Sequence, residues 1–261
     1  VGWKAVARSA IGTGHQKQGL PCQDYGGDRI FNHLLIGAVA DGAGSAQYAD
    51  LGAKLAVTTA IAHLASTEIW LRQRQRSWQK LQQPFSQRQA ERLFVSTLKR
   101  VLYVFRQQAD RGGYTISELA CTLIAFMVTP YWIAAMQIGD GSIVVRSQFR
   151  KEYQLLFKPD KGEYFNQTTF VTSSNAFADL RVQVLAQQPK FICAATDGIE
   201  RVAFRLQDWT PGQPFFKWLE EYMQETENPQ TEDECLIRLL ESQELNRQTD
   251  DDKTLLLCLY N

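Results

Sequence analysis

The chain lacks any cysteine pattern that could staple it or hold zinc. Cys22, Cys121, Cys193, Cys235 and Cys258 are odd in number, widely separated and form no CxxC, which argues against a structural zinc site and favours a reducing compartment. Long apolar runs are also missing. Leu34 to Ala40 and Cys121 to Val128 are among the longest and fall far short of a bilayer span, and no basic segment leads into an apolar one at the N-terminus. The expectation is a soluble, cytoplasmic protein without membrane insertion. There is no net charge, since 28 basic residues balance 28 acidic ones. The basic stretch described below has no base-stacking motif beside it, so nucleic acid is not an expected partner. What the chain does have is 261 residues, 44% of them hydrophobic, enough for a sizeable core in one large domain or two small ones.

Charge is unevenly distributed. Leu71 to Arg92 holds five arginines and one lysine against one glutamate, whereas Leu219 to Asp252 holds twelve acidic residues against two arginines. Solvated faces explain both stretches, with mutual attraction or docking of a charged partner as the alternative. No internal repeat or long linker divides the sequence, so residues 1–261 are expected to form a single domain.

Hydrophobic periodicity gives the order of elements. Leu34 to Ala40 is a strand candidate ending in Asp41-Gly42-Ala43-Gly44. Leu51, Leu55, Thr58, Thr59 and Ala62 predict a helix with one packed face, and Leu93, Leu98, Leu102 and Phe105 predict another. Between them, residues 66–90 suggest a polar helical extension with Trp70, Trp78, Leu81 and Phe85 as anchors. Leu119 to Val128, Trp132 to Gln137 and Ser142 to Phe149 follow as strands, their close succession suggesting an antiparallel meander with turns at Thr129-Pro130 and Gly139-Asp140-Gly141. Arg181 to Leu185 and Phe191 to Ala195 are further strands. Trp218, Leu219 and Met223 form one apolar helical stripe, Leu236, Leu239 and Leu240 another, and Thr254 to Leu259 is the last strand. Helices outside two packed sheets accommodate this order.

The carboxylates carry the chemistry. Asp24, Asp41, Asp140, Asp197 and Asp251 all fall at strand ends or adjoining turns, and Asp41, Asp140 and Asp197 each precede glycine. One Asp-Gly pair is an ordinary turn. Several converging at one sheet edge would repel one another unless divalent cations offset the charge.

Five blocks in order, Gly12 to Asp24, Val39 to Gly44, Ile138 to Ser142, Ala195 to Gly198 and Asp251 to Leu256, resemble the metal-dependent type 2C family of serine/threonine protein phosphatases. The divergent bacterial-type branch is the nearest, by Gly12, His15 and Pro21-Cys22-Gln23-Asp24. The resemblance implies an α+β fold, a four-layer α-β-β-α sandwich with two central, mainly antiparallel sheets. It implies that Asp41 bridges two Mg²⁺ or Mn²⁺ ions, that the Gly42 carbonyl helps bind one, and that Asp197 and Asp251 complete the other. Asp140 would assist a weaker third ion together with Asp197, and Asp24 would orient metal-bound water. The implied reaction is hydrolysis of phosphoserine and phosphothreonine in phosphorylated protein substrates, opposing a serine/threonine kinase. A catalytically weak phosphoprotein-binding module and a small-molecule phosphomonoesterase are the alternatives. The stretch from Lys158 to Asn175 corresponds to the family's flap, where Lys161 or Arg181 could meet substrate.

The pattern departs in places. Gly19 stands where the family has a phosphate-binding arginine, and Gln23 replaces an acidic residue, offering a neutral oxygen as a weak ligand. His15 is a candidate catalytic group, as phosphate donor or proton donor to the leaving group, with a structural hydrogen bond as the alternative. Lys17 and Arg8 could add positive charge. Thr122 is read as supporting the site, and Asp252, at the family's asparagine position, as reinforcing the negative field or orienting Asp251. The cysteines are read as core residues, with Cys22 nearest the site.

Overall fold

Alternation along the strands builds two sheets that share an interior. A computed structural model describes residues 2–31, 33–74, 82–158 and 168–261, with backbone only for 67–74. In chain order the elements are β1 (Trp3–Ala10), α1 (Thr13–Gln18), β2 (Tyr25–Phe31), β3 (Leu34–Ala40), α2 (Ala49–Arg74) and α3 (Gln87–Gly112). Then come β4 (Leu123–Val128), β5 (Ile133–Ile138), β6 (Ser142–Ser147), β7 (Gln154–Leu155), β8 (Arg181–Leu185) and β9 (Pro189–Ala195). The chain ends with α4 (Glu200–Ala203), β10 (Phe204–Arg205), β11 (Thr210–Pro211), α5 (Gln213–Glu225), α6 (Glu234–Leu240), α7 (Gln243–Asn246) and β12 (Lys253–Tyr260). One sheet has the order β1-β12-β9-β6-β7 and the other β2-β3-β4-β5-β8, while β10 and β11 form a separate hairpin. The pairings are antiparallel throughout.

Strand periodicity assigns the layers. In β12, Leu256 and Cys258 face the inter-sheet core with Leu35, Val39, Phe126 and Ile192. Leu255, Leu257 and Leu259 point the other way, onto Phe216, Leu219, Met223, Leu236 and Leu240 of α5 and α6. On the opposite outer face, α2 and α3 cover the second sheet. The four-layer α-β-β-α arrangement is the one expected. A capping box at Ser86 and Gln89 starts α3, and Gly113 ends it in the left-handed region at φ 70°. Among the described residues no helix is long and apolar enough to cross a membrane.

Four expectations are corrected. The Gly139-Asp140-Gly141 turn does not continue a meander: β5 pairs with β4 and β8, whereas β6 pairs with β7 and β9 in the other sheet. This crossing carries Asp140 to the edge between the sheets. The buried stripe of α2 consists of Ala49, Ala53, Ala56, Val57, Ala60 and Leu64, with Leu51 and Leu55 on its flank and Thr58 and Ala62 exposed. Small side chains let the helix approach the sheet closely, which a search weighted toward leucine overlooks. Trp218 is 39% exposed, so the buried stripe of α5 runs through Phe216, Leu219, Tyr222 and Met223 instead. Leu119 closes a 3₁₀ turn, Ile116–Leu119, ahead of β4. Of the expected extension, residues 66–74 continue α2 and Phe85 packs on Trp132 with ring centres 5.0 Å apart. Trp78, Leu81 and the Trp70 side chain lie outside the described residues, as do residues 159–167 of the flap and with them Lys161.

Candidate metal centre

Each acidic residue reaches the site because a strand ends there. Asp41 follows β3, and its backbone is clamped by Thr122: the Asp41 N–H donates to Thr122 Oγ1 at 3.0 Å, and the Thr122 N–H donates to the Asp41 carbonyl at 2.8 Å. Gly42 bridges to Cys121 and donates its N–H to the Gln23 carbonyl at 3.1 Å. Asp197 follows β9 and opens a 3₁₀ turn, Asp197–Ile199. Asp140 sits on the crossover turn, which buried Gln137 holds by donating Nε2 to the Gly139 carbonyl at 2.9 Å and the Gly141 carbonyl at 2.7 Å. Carboxylate oxygens of Asp41, Asp140 and Asp197 all lie within 4.8 Å of one another. Two full charges about 4 Å apart repel by about 4 kcal/mol at an effective dielectric of 20, so this triad is ionised only beside a cation or at a high cost.

Burial sharpens the conflict. Asp41, Asp24 and Asp197 are all held above the usual carboxylate range, first by desolvation and then by the neighbouring carboxylates. Asp251 is raised for the same leading reason. Glu200 is pushed up to about 8, first by burial and then by Asp197 and Asp140. Four buried oxygens in this region have no hydrogen-bond partner within the protein: Gln23 Oε1, Asp24 Oδ1, Asp197 Oδ1 and Glu200 Oε1. Orphaned oxygens on mutually repelling acids are the donor set that hard divalent cations take, so the residues present fit the ions that the sequence implies.

Asp24 is half engaged. Its Oδ2 accepts from Thr196 Oγ1 at 2.6 Å, and Thr196 in turn accepts from the Thr254 N–H at 2.9 Å. Asp251 accepts the Asp252 N–H on Oδ1 at 2.8 Å.

Asp252 behaves differently. Its Oδ1 accepts from the Gly12 N–H at 2.6 Å, and its Oδ2 accepts from the Gln23 N–H at 2.5 Å and meets His15 Nδ1 at 2.9 Å. Both oxygens are satisfied, so Asp252 knots the N-terminal segment to the start of β12. Glycines permit the tight wrap: a Cβ on Gly12 would lie 2.3 Å from the Asp250 carbonyl oxygen, and one on Gly198 only 1.9 Å from that of Asp252. Gly19 caps α1 in the left-handed region at φ 68°, a conformation that an arginine adopts poorly.

Other candidates lie elsewhere. Arg8 is committed to Asp233 and to the Gln230 carbonyl, tying β1 to the start of α6. Arg181 binds the Lys158 carbonyl at 2.7 Å. Lys17 is exposed on α1. The Cys22 thiol, near the site as expected, is pushed up by burial and by Asp24 and Asp252. Cys235 is exposed and so not a core residue. Sequence reasoning also missed Lys253. It is fully buried, with Nζ donating to Asn246 Oδ1 at 2.8 Å and the Asp251 carbonyl at 3.3 Å, a fixed cation behind the acidic cluster. Its one sequence signal is a lysine between three aspartates and a leucine-rich strand.

Comparison with known proteins gives the family and the fold. The model of the protein phosphatase 2C family matches residues 11–241. The chain is 32% identical to Serine/threonine-protein phosphatase 3 of Escherichia coli (strain K12), over 99% of this chain and 98% of that protein. The fold is similar to the S. agalactiae serine/threonine phosphatase, with TM-score 0.62, 13% identity, and 99% and 100% of the two chains covered. It is also similar to the catalytic domain of the phosphatase PstP solved with two manganese ions, with TM-score 0.57, 16% identity, and 98% and 97% covered. The chain belongs to the protein phosphatase 2C family and is a metal-dependent serine/threonine protein phosphatase.

Proposed function

We propose that the carboxylate edge holds two core Mg²⁺ or Mn²⁺ ions and a weaker third. Asp41 and the Gly42 carbonyl would hold the core ions. Asp197 and Asp251 complete the second core position, and Asp140 with Asp197 forms the third. The observation that carries this reading is the cluster of Asp41, Asp140 and Asp197, whose carboxylate oxygens lie within 4.8 Å of one another and include the buried, unpartnered Oδ1 of Asp197. Such ions, when bound, lower the pKa of an attacking water and offset charge on the phosphoryl oxygens. PstP was solved with two manganese ions, which makes Mn²⁺ the first ion to test.

The protein's own groups then have separable tasks. Thr196 holds Asp24 Oδ2, which leaves Oδ1 to orient the water for in-line attack. Thr122 sets the Asp41 backbone. His15 has Nδ1 committed to Asp252, so Nε2 is the nitrogen left to donate to a phosphate oxygen or to protonate the leaving serine or threonine oxygen. Gln23 contributes a neutral oxygen. The substrates are phosphoproteins of a signalling pathway in which the enzyme opposes a serine/threonine kinase. The cytoplasm suits its unpaired cysteines.

The test is phosphate release from a mixed phosphoserine and phosphothreonine peptide library, with Mn²⁺ or chelator, for the wild type and D41A. Metal-dependent turnover that falls by about 10³-fold or more in D41A is expected. Full turnover in D41A contradicts the assignment of Asp41.

A further inference from the structure

A cavity of about 660 Å³ opens beside the carboxylate cluster, sharing Asp197 and Asp251 as one wall. A phosphoryl group fills only a small part of that volume, which lies in the range of sites that take several side chains. The lining also includes Leu206 and Trp209 of the β10–β11 hairpin together with Arg201 and Arg247. Trp209 is held at φ 56°, an uncommon conformation for a bulky residue. Its turn is braced by Arg205, which donates to both oxygens of Asp208 at 2.9 and 2.6 Å.

Four other described arginines are held by acids: Arg8, Arg146, Arg205 and Arg238 each have a carboxylate partner. Among the described residues Arg201 and Arg247 have none, and both are exposed. The remaining acids of the cavity do not claim them. Glu200 is pushed up by burial and by Asp197 and Asp140, and the Asp250 carboxylate lies over Gly14, 3.7 Å from where a Cβ there would sit.

We propose that this cavity receives the substrate segment flanking the phosphorylated residue, and that Arg201 and Arg247 select an acidic side chain in that segment, with Leu206 and Trp209 packing on its neighbours. The proposal rests on the phosphatase reading of the adjoining carboxylates. It places two exposed positive charges for the substrate in the cavity that Asp197 and Asp251 also line. Charge-assisted contacts of this kind correspond to a preference of about ten-fold for an acidic flank over a neutral one.

The experiment measures kcat/KM with Mn²⁺ on matched phosphothreonine peptides carrying Glu, Gln or Lys at the positions flanking the phosphoresidue. Wild type, R201A/R247A and R201E/R247E are compared, with circular dichroism to confirm folding. Wild type should prefer Glu, the alanine pair should lose the preference, and the charge-reversed pair should prefer Lys. Equal rates in wild type, or an unchanged preference in both variants, would overturn the proposal. Hydrolysis of p-nitrophenyl phosphate by the wild type tests the phosphatase reading separately. Were no peptide turned over, fluorescence anisotropy of the same labelled peptides on Mn²⁺-loaded protein reads the same three preferences, and equal affinities would be the overturning result.

Discussion

Asp251 and Asp252 are chain neighbours in opposite circumstances. Asp252 is buried with three donors on its two oxygens, from Gly12, Gln23 and His15. Asp251, at the rim of the cluster with Asp41 and Asp197, has only its Oδ1 engaged, by the Asp252 N–H. Neighbouring Asp24 and Asp197 keep a buried oxygen with no partner at all. The difference teaches how to separate structural acids from ligand acids in a crowded site. A carboxylate whose lone pairs are filled by the protein stabilises the fold, whereas one left unfilled among like charges is destabilising until a cation arrives.

That contrast can be broken experimentally, most forcefully at Asp41. Asp41→Asn should match D41A in its loss of turnover, yet in chelator it should melt at or above the wild type, because one member of a repelling set has been neutralised. Differential scanning calorimetry with and without chelator checks the second half. Asp252→Ala should do the reverse. Leaving the buried Gly12 and Gln23 N–H groups unpaired should cost about 2 to 5 kcal/mol of stability, with or without Mn²⁺, as read by denaturant titration.

A smaller effect follows from pH. Asp24 rises from 3.8 when unfolded to about 8 when folded, chiefly through desolvation. Between those values the folded state binds more protons than the unfolded one, so stability falls as pH rises across the window. In chelator the melting temperature should therefore fall as pH rises from about 5 to about 8. Added Mn²⁺ should reverse the slope, since its ligands must lose protons to bind. A metal-free melting temperature that climbs across this range would count against the crowded-acid account.

Much of this was legible in the residues. Leu34 to Ala40 reads as a strand because it is buried on both faces, and an aspartate before glycine at a strand end marks a turn whatever else surrounds it. The layer order came from the family resemblance, with which the element order read from periodicity is compatible. The crossover at Gly139 to Gly141 was not legible, because a turn sequence specifies a reversal and not which sheet the next strand joins. The packed face of α2 was missed because its contact depends on small residues that a hydrophobicity pattern undervalues. The role of Asp252 was least accessible of all: its partners Gly12 and Gln23 lie 240 and 229 positions away, and their spacing carries no local signal.

The central claim is that acids with at most one oxygen engaged hold the ions, and that Asp252, with both oxygens filled, does not. Anomalous diffraction at the manganese edge from Mn²⁺-soaked crystals tests it most directly. The account predicts peaks among the carboxylates of Asp41, Asp140, Asp197 and Asp251, with Asp252 still bound to Gly12, Gln23 and His15. A bare Asp41–Asp140–Asp197 cluster, or manganese seated on Asp252 with those three bonds broken, would contradict it.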